Sequence, residues 1–451
     1  MIKKIKWNSH VSLGNLVLDF TKLDGTPYST IVLAGENGSG KTTVLSTLST
    51  FLNLGSIEAF EYMVYHINGI DYKITPSTQH EKFPSIGYHD RVNMLTQQSV
   101  AVHTNKTNNF ERLQNDTEDI RRYGCVFSKA RSGFSTQKVQ STTTKQLDSD
   151  CYDDDSKDDF TSIKQLLVDI DSQDNSEWMD ISRNHTGETF TSFSARAKLT
   201  RFRNAFNGFF DDIKFEKIDT ADPQEKRIIF RKYGKMIDID SMSTGEKQIV
   251  FRGTQLLKNS RNLANGIILI DEPELSMHPK WQEKVFDYYR NLFTQTGTQT
   301  AQIIIATHSE YVIKSALKDS TDVLVIVLKN DNGIIVPERI TAPTVLPTIS
   351  NAEVNYNAFG VLSTDYHIQL YGYLQQKEGK ASIKSCDDFI ASSTHYNAAI
   401  HSKASVNPRG GTPYQTLPTY IRNAIDHPDS GNTYTDAELE ISIKLLIELC
   451  R

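Results

Sequence analysis

The stretch Ile31-Val32-Leu33-Ala34-Gly35-Glu36-Asn37-Gly38-Ser39-Gly40-Lys41-Thr42 constrains this chain more than any other. Four aliphatic residues in a row read as a strand buried on both faces. They run straight into Gly35 to Thr42, which match G-x-x-x-x-G-K-[ST] in full, and Thr43-Val44-Leu45 then opens a helix. Glycines at such spacing let the backbone curl so that successive N–H groups point at phosphate oxygens. The helix N-terminus adds partial positive charge. Lys41 is placed to reach β- and γ-phosphates and Thr42 to bind Mg²⁺, so the spacing predicts a nucleotide site at Gly35, Asn37, Gly38, Ser39, Gly40, Lys41, Thr42 and Thr43.

A second element fits that site. Ile267-Ile268-Leu269-Ile270 is an aliphatic run that closes on Asp271-Glu272-Pro273. At the carboxyl edge of a parallel sheet, where ligands bind, Asp271 would enter the Mg²⁺ shell and Glu272 would polarise an attacking water. The runs Gly266–Ile270, Gln302–Ala306 and Val323–Leu328 are all near-continuous aliphatic strands, as in a sheet covered by helices on both faces. Ser243-Thr244-Gly245-Glu246-Lys247-Gln248 begins twenty-eight residues before Asp271, and Ile303-Ile304-Ile305-Ala306-Thr307 ends on His308.

These motifs together resemble the ABC-type ATPases, in the branch that holds SMC proteins, RecF and the overcoming-lysogenization nucleases. Met242-Ser243-Thr244-Gly245-Glu246 resembles the signature motif of that class, with Met242 where leucine is usual. Glu274-Leu275-Ser276-Met277-His278-Pro279 is similar to the loop after the catalytic carboxylate, and His308 matches the switch histidine. The resemblance implies ATP and Mg²⁺ sandwiched between two heads. Lys41, Thr42, Asp271, Glu272 and His308 would come from one head, and Ser243, Gly245 and Glu246 from the other. A head-to-head dimer or a larger even-numbered assembly follows. The family also uses a glutamine between the phosphate loop and the signature, for which Gln97, Gln98 and Gln114 are the candidates.

The expected fold class is α/β: an ABC-type P-loop ATPase head with a parallel-sheet core and a large insertion, plus a C-terminal α-helical domain. The head is read over 1–345, with insertion and helical subdomain at about 55–230, and the C-terminal domain over 346–451. Regular structure resumes near residue 194. Ala195, Leu199, Phe202, Phe206, Phe209, Phe210 and Ile213 recur at helical spacing, with Arg196, Lys198, Arg201 and Arg203 beside them. Those basic residues suit either a solvated face or contact with nucleic acid or ATP phosphates. Asp148 to Asp159 crowd seven aspartates without the spacing or central glycine of a calcium loop, and read as a solvated acidic loop.

Composition removes other classes. With 49 Lys+Arg against 55 Asp+Glu the net charge is −6, which argues against a wholly basic nucleic-acid coat. No apolar run approaches the ~18–20 residues that span a bilayer. The basic start Met1 to Trp7 lacks the apolar core of a signal peptide, so a cytoplasmic protein without membrane attachment is expected. Cys125, Cys151, Cys386 and Cys450 are scattered and form no CxxC pair.

Near the C-terminus, Pro418 suits the first turn of a helix that Pro428 ends, and Thr435 with Glu438 makes a capping box for a final helix. Within the first of these, Asn423 and His427 are four apart and are expected on one face, with Arg422 beside them. Arg422-Asn423-x-x-x-His427 resembles the motif of HEPN ribonucleases, where the histidine does acid–base work and the arginine stabilises phosphate charge. The same residues equally suit a helix C-terminus, where they complement the dipole. His367, His395 and His401 have no partner spacing and read as structural or exposed.

The whole chain is similar to stand-alone bacterial anti-phage ATPases, Septu-type subunits among them. That resemblance implies an ATPase whose nucleotide state gates a nuclease effector. The effector is either an HNH-type partner bound in trans or the in-cis ribonuclease motif, with nucleic acid as target. A RecF-like DNA-maintenance ATPase is the third reading.

Overall fold

A computed structural model describes every residue except 83–87, 104–109, 131–151, 154–159, 185, 223, 259–264, 296–297, 342–343 and 407–411. It divides into two compact units, Met1–Arg339 and Ile340–Arg451.

The first unit begins with strands β1 (Ile2–Trp7), β2 (Val17–Asp19) and β3 (Thr30–Ala34), then helix α1 (Lys41–Leu52). Next come β4 (Phe60–Ile67), β5 (Ile70–Pro76), α2 (Thr78–Lys82), β6 (His89–Asn93), β7 (Ser99–Val102), α3 (Phe110–Asn115), β8 (Cys125–Ser128) and β9 (Tyr152–Asp153). Helices α4 (Phe160–Arg183), α5 (Phe190–Arg196) and α6 (Lys198–Phe209) lead to the meander β10 (Ile213–Asp219), β11 (Arg227–Lys232) and β12 (Lys235–Asp238). Then follow α7 (Thr244–Lys258), β13 (Ile267–Asp271) and α8 (Pro279–Leu292). The ribbon β14 (Thr294–Gln295) and β15 (Thr298–Gln299) precedes β16 (Gln302–Thr307), α9 (Glu310–Ala316), β17 (Val323–Asp331) and β18 (Ile334–Ile340).

Two sheets organise this unit. The larger has seven strands in the order β18-β17-β3-β16-β13-β8-β9, and β17, β3, β16, β13, β8 and β9 run parallel. The other is an antiparallel sheet, β2-β1-β4-β5-β6-β7. One face of the parallel sheet (Ile31, Leu33, Ile267, Leu269, Ile304, Ala306) shares a core with Val44, Leu45, Leu48 and Phe51 of α1 and with Trp7, Phe60 and Met63 of the antiparallel sheet. The phosphate-loop helix is thus held between two sheets, and Trp7 Nε1 donates to Thr47 Oγ1 at 3.1 Å. The alternate residues Val32, Ile268, Ile270, Ile303 and Ile305 are buried as well, as the unbroken aliphatic runs require.

Several local expectations are corrected. The basic start is an alternating strand: Ile2, Ile5 and Trp7 point inward, while Lys3, Lys4 and Lys6 pair with Asp71, Asp19 and Glu61. The apolar centre Leu16-Val17-Leu18 of the stretch Ser12 to Phe20 reads as a longer strand, but only β2 forms there. Stretch 55–230 holds β4–β7, which continue the sheet of β1, and the core strand β8, as well as helices α4–α6. The single helix expected through Ile213 breaks at Ala197, ends at Phe209, and gives Ile213 to a strand. Its periodicity is real, since Phe202, Phe206, Phe209 and Phe210 are all buried. The break comes from Asp174 of α4, whose carboxylate accepts the N–H of Lys198 and of Leu199 (2.9 Å) and so starts a new helix. Of the basic residues there, Lys198 is buried and Arg203 lies over the Phe215 ring. Most of the acidic run Asp148 to Asp159, and Cys151, lie outside the described residues. Cys125, Cys386 and Cys450 are buried free thiols.

The second unit packs α10 (Asn351–Phe359), α11 (Thr364–Lys377), α12 (Ile383–Ser392), α13 (Ala398–His401), α14 (Leu417–Asp426) and α15 (Asp436–Cys450). A short ribbon, β19 (Ser402–Ser405) with β20 (Tyr414–Thr416), was not legible in its polar sequence. Tyr366, Leu370, Leu374, Ile390, Ile421, Ile443 and Leu446 form its core. The Thr435/Glu438 capping box is present in full. Among the described residues no helix is long and apolar enough to cross a membrane.

One buried ion pair gives a test of the fold. Asp119 and Arg121 are both fully buried, joined at 2.7 Å, and the guanidinium lies over the Phe51 ring of α1. Burial alone would raise the Asp119 pKa, but Arg121 and its hydrogen bonds outweigh that and hold it at about 2. A depressed carboxylate contributes stability that is complete above its unfolded value of 3.8 and is lost as pH falls through about 2. Asp119→Ala removes the carboxylate partner of a fully buried arginine and should destabilise the head by about 3–5 kcal/mol. Thermal unfolding at neutral pH reads that loss, and the gap between wild type and variant should narrow as the pH is lowered from 4 towards 2.

Candidate functional site

Parallel register alone brings three sequence-distant segments to one edge. Thr307 pairs with Ala34 and Asp271 with Ala306, so the ends of β3, β16 and β13 stand side by side. Gly35, His308 and Glu272 are the next residues of these strands, and the Glu272 N–H donates to Ala306 O at 2.9 Å.

The turn after β3 needs glycine at its first position. Gly35 has φ 145°, and a Cβ there would lie 2.5 Å from Leu328 O and 2.8 Å from Ser39 Oγ. Asn37 and Gly38 stand exposed at the crest, and Ser39 turns inward with a buried hydroxyl that has no protein partner. Lys41 Nζ donates to Gly35 O and Glu36 O, both at 2.8 Å. Burial lowers its pKa, against the opposing pull of Glu272, Asp271, Glu274 and Glu36. Thr42 Oγ1 donates to both oxygens of Asp271, at 3.0 and 3.1 Å, and half-buried Thr43 continues α1.

Burial raises the Asp271 pKa; Thr42, Arg252 and Lys41 oppose that rise and Glu272 adds to it. A hydroxyl and a carboxylate side by side are hard oxygen donors suited to Mg²⁺. The residues therefore fit the group that the motif implies: Thr42 and Asp271 would hold Mg²⁺, and Lys41 would leave its loop carbonyls for phosphate oxygens. Once bound, Mg²⁺ would neutralise charge on the phosphates. Glu272 stands in the left-handed region, φ 44°, which for a non-glycine residue costs about 1 kcal/mol and fixes the direction of its carboxylate. His308 Nδ1 lies 3.6 Å from Glu272 Oε1 and 3.5 Å from Glu274 Oε1.

The signature residues serve a different place. Ser243 and Glu246 form a reciprocal cap at the start of α7: Ser243 N donates to Glu246 Oε2 at 2.8 Å, and Glu246 N to Ser243 Oγ. Glu246 is also paired with Lys232 at 2.7 Å. Gly245 is required by close approach, because a Cβ would lie 2.6 Å from Ser276 O. Further along α7, fully buried Arg252 donates to Asp271 O at 2.7 Å and to Lys129 O at 3.0 Å. Ser243 is nine residues earlier, roughly 13 Å of helix rise, and is exposed to solvent.

Sequence reasoning gave Arg252 and Glu274 no role. The available signals were a lone arginine in the apolar stretch of α7 and a second glutamate two positions after Glu272. His278 caps α8, its Nδ1 accepting Lys280 N at 3.3 Å. The candidate glutamines lie away from the strand ends: Gln97 and Gln98 in the β6–β7 turn, and Gln114 on α3.

The C-terminal trio sits at the end of α14. His427 is the C-cap of that helix, with its N–H on Asn423 O at 3.0 Å. Arg422 is paired with Asp426 at 2.5 Å and donates to Asn423 Oδ1 at 3.0 Å. His367 is fully buried against Ser442, and the His401 ring accepts Asn397 N. Among the described residues no group of three or more His, Cys, Asp or Glu could hold a metal ion by themselves.

Lys41→Ala removes the one cation bonded within the loop. It should weaken ATP binding at least about tenfold, as read by titration with a fluorescent ATP analogue, while the far-UV circular dichroism of the fold is retained.

Residues 31–314 match the family described as "AAA domain, putative AbiEii toxin, Type IV TA system". Among curated proteins, the "Retron Vc95 probable ATPase" of Vibrio cholerae serotype O1 biovar El Tor is 25% identical over 176 residues, 36% of this chain and 33% of that one. The match thus spans about a third of that relative's length. The Septu protein PtuA of Bacillus thuringiensis is 24% identical over 337 residues, 70% of this chain and 74% of that one. Among solved structures, an Smc head bound to the C-winged helix domain of ScpA aligns with TM-score 0.42 and 14% identity, covering 76% of this chain and 98% of that one. The SMC head domain of Thermotoga maritima gives 0.39 and 13%, covering 76% and 99%. The family match takes in well over half of the 451 residues and contains the phosphate loop, the Asp271-Glu272 strand and His308, so the chain belongs to this AAA-domain family.

Proposed function

We propose that this protein is a Mg²⁺-dependent ATPase of a bacterial anti-phage defence system, active as a dimer of heads, whose nucleotide state gates a nuclease effector. The observation that carries the ATPase reading is the convergence of Lys41, Thr42, Asp271, Glu272 and His308 on one sheet edge, with Thr42 bonded to Asp271 and His308 beside Glu272. ATP phosphates would take Lys41 and the loop N–H groups. Glu272 would accept a proton from the attacking water, and His308 would meet the γ-phosphate. Exposed Ser243, some 13 Å along α7 from Arg252, supports a signature that completes the partner head's site.

The defence role rests on similarity to the Septu protein and the retron ATPase. For the effector we favour a nuclease bound in trans, of HNH type, because Arg422 is already neutralised by Asp426 and His427 points from a helix end.

Glu272→Gln should retain ATP binding, lower turnover by about 100-fold or more, and shift the protein to a dimer in ATP, as read by light scattering. Unchanged turnover in that variant would remove the catalytic assignment. Cleavage of tRNA or bulk RNA by the purified protein, lost in His427→Ala, would place the effector within this chain; the trans reading expects no RNA cleavage with or without ATP.

A further inference from the structure

Glu274 is the least expected charge at the site. It is 3% exposed, yet its surroundings supply no cation within ion-pairing distance among the described residues except the His308 ring if protonated. One oxygen, Oε1, accepts from Thr307 Oγ1 at 2.7 Å and from His308 N at 3.0 Å. The other, Oε2, is buried without a protein hydrogen-bond partner. A buried carboxylate left half-satisfied is unfavourable, and leucine or methionine would fill the same space at lower free energy. What the carboxylate supplies is a fixed link between the loop after β13 and the turn after β16, which carry Glu272 and His308.

The imidazole geometry gives that link a purpose. His308 Nδ1 stands almost equidistant from Glu274 Oε1 and Glu272 Oε1, at 3.5 and 3.6 Å. One ring nitrogen carries one proton, so in a given state it donates to one of the two carboxylates. If it donates to Glu272, it occupies the oxygen needed by the attacking water. If it donates to Glu274, Glu272 is left open, and the unprotonated Nε2 belongs to a ring whose side chain is 43% exposed.

We infer that Glu274 is a positioning residue for ATP hydrolysis: it accepts the Nδ1 proton of His308, fixes the ring's tautomer and keeps it from sequestering Glu272. This rests on the ATPase reading of the same site. No bond to substrate is made by Glu274 itself; among the described residues its Oε1 acts on Thr307 and His308.

The test is Glu274→Gln, which keeps size and a weaker neutral acceptor, measured beside Glu274→Ala, His308→Ala and the double variant Glu274→Gln/His308→Ala in the full chain. Glu274→Gln should lower kcat about tenfold, with the KM for ATP within about twofold of wild type, and Glu274→Ala should lower it further. In the His308→Ala background Glu274→Gln should change kcat by less than about twofold, since its effect passes through the ring. An undiminished kcat, or the full loss repeated in the absence of His308, overturns the inference. A readout independent of hydrolysis separates this from failure of the ATPase reading. With ¹⁵N-labelled histidine, His308 should be protonated at Nδ1 in the wild type, and its Nδ1–H resonance should move in Glu274→Gln and Glu274→Ala as the proton passes from Glu274 to Glu272. An Nδ1–H resonance unmoved in both variants overturns it even if no ATP is hydrolysed, whereas absent hydrolysis with that resonance moved counts against the ATPase reading alone.

Discussion

The hydrogen bonds from Thr42 to Asp271 depend on a register two strands wide. Thr42 opens the helix after β3, and Asp271 ends β13, with β16 between them. A slip of one residue in either parallel pairing would move the carboxylate about 3.3 Å and turn it to the opposite face of the sheet. Register is held by the two-sided apolar core, in which every residue of β3 and β16 is buried. The chemistry at the edge is therefore a consequence of packing in the interior.

The electrostatics of that edge explain why it suits a nucleotide with a divalent cation. Asp271, Glu272 and Glu274 bring three carboxylates together, while Lys41 and Arg252 bring two fixed cations, both of them bonded to backbone carbonyls. With all groups ionised the balance is one negative charge in a partly buried place, where burial, with Glu272 adding to it, raises the pKa of Asp271. A divalent cation held by Thr42 and Asp271 would relieve it, and Lys41 would then be free for phosphate. The strained φ of Glu272 belongs to the same account: a backbone turned the ordinary way would send its carboxylate elsewhere.

Much of this was legible in the sequence because parallel strands buried on both faces show as aliphatic runs, and because the residues that follow such runs must lie at one edge. Gly35 to Thr42, Asp271-Glu272 and His308 were found that way, and the structure sets them together. What was not legible had distant causes. Asp174 splits a helix whose apolar period continues across the break, and the alternating lysines of β1 gained their meaning only from Asp71, Asp19 and Glu61 on other strands. Glu274 resembled an ordinary loop glutamate until its contacts with Thr307 and His308 were seen. The Arg422 to His427 spacing foresaw a helix there, and the structure ends that helix at Asp426 with His427 as its C-cap.

Arg252 joins helix α7, which starts at the Ser243 cap, to the strand end at Asp271. The central claim is that each nucleotide site is shared between two heads. Mixing Lys41→Ala protein with Ser243→Arg protein tests it most directly. Each variant alone should hydrolyse no ATP, while the mixture should recover activity, because a mixed dimer holds one site with an intact loop from one protomer and an intact signature from the other. Full activity of Ser243→Arg by itself, or a mixture as inactive as its parts when mixed dimers have formed, would contradict the account.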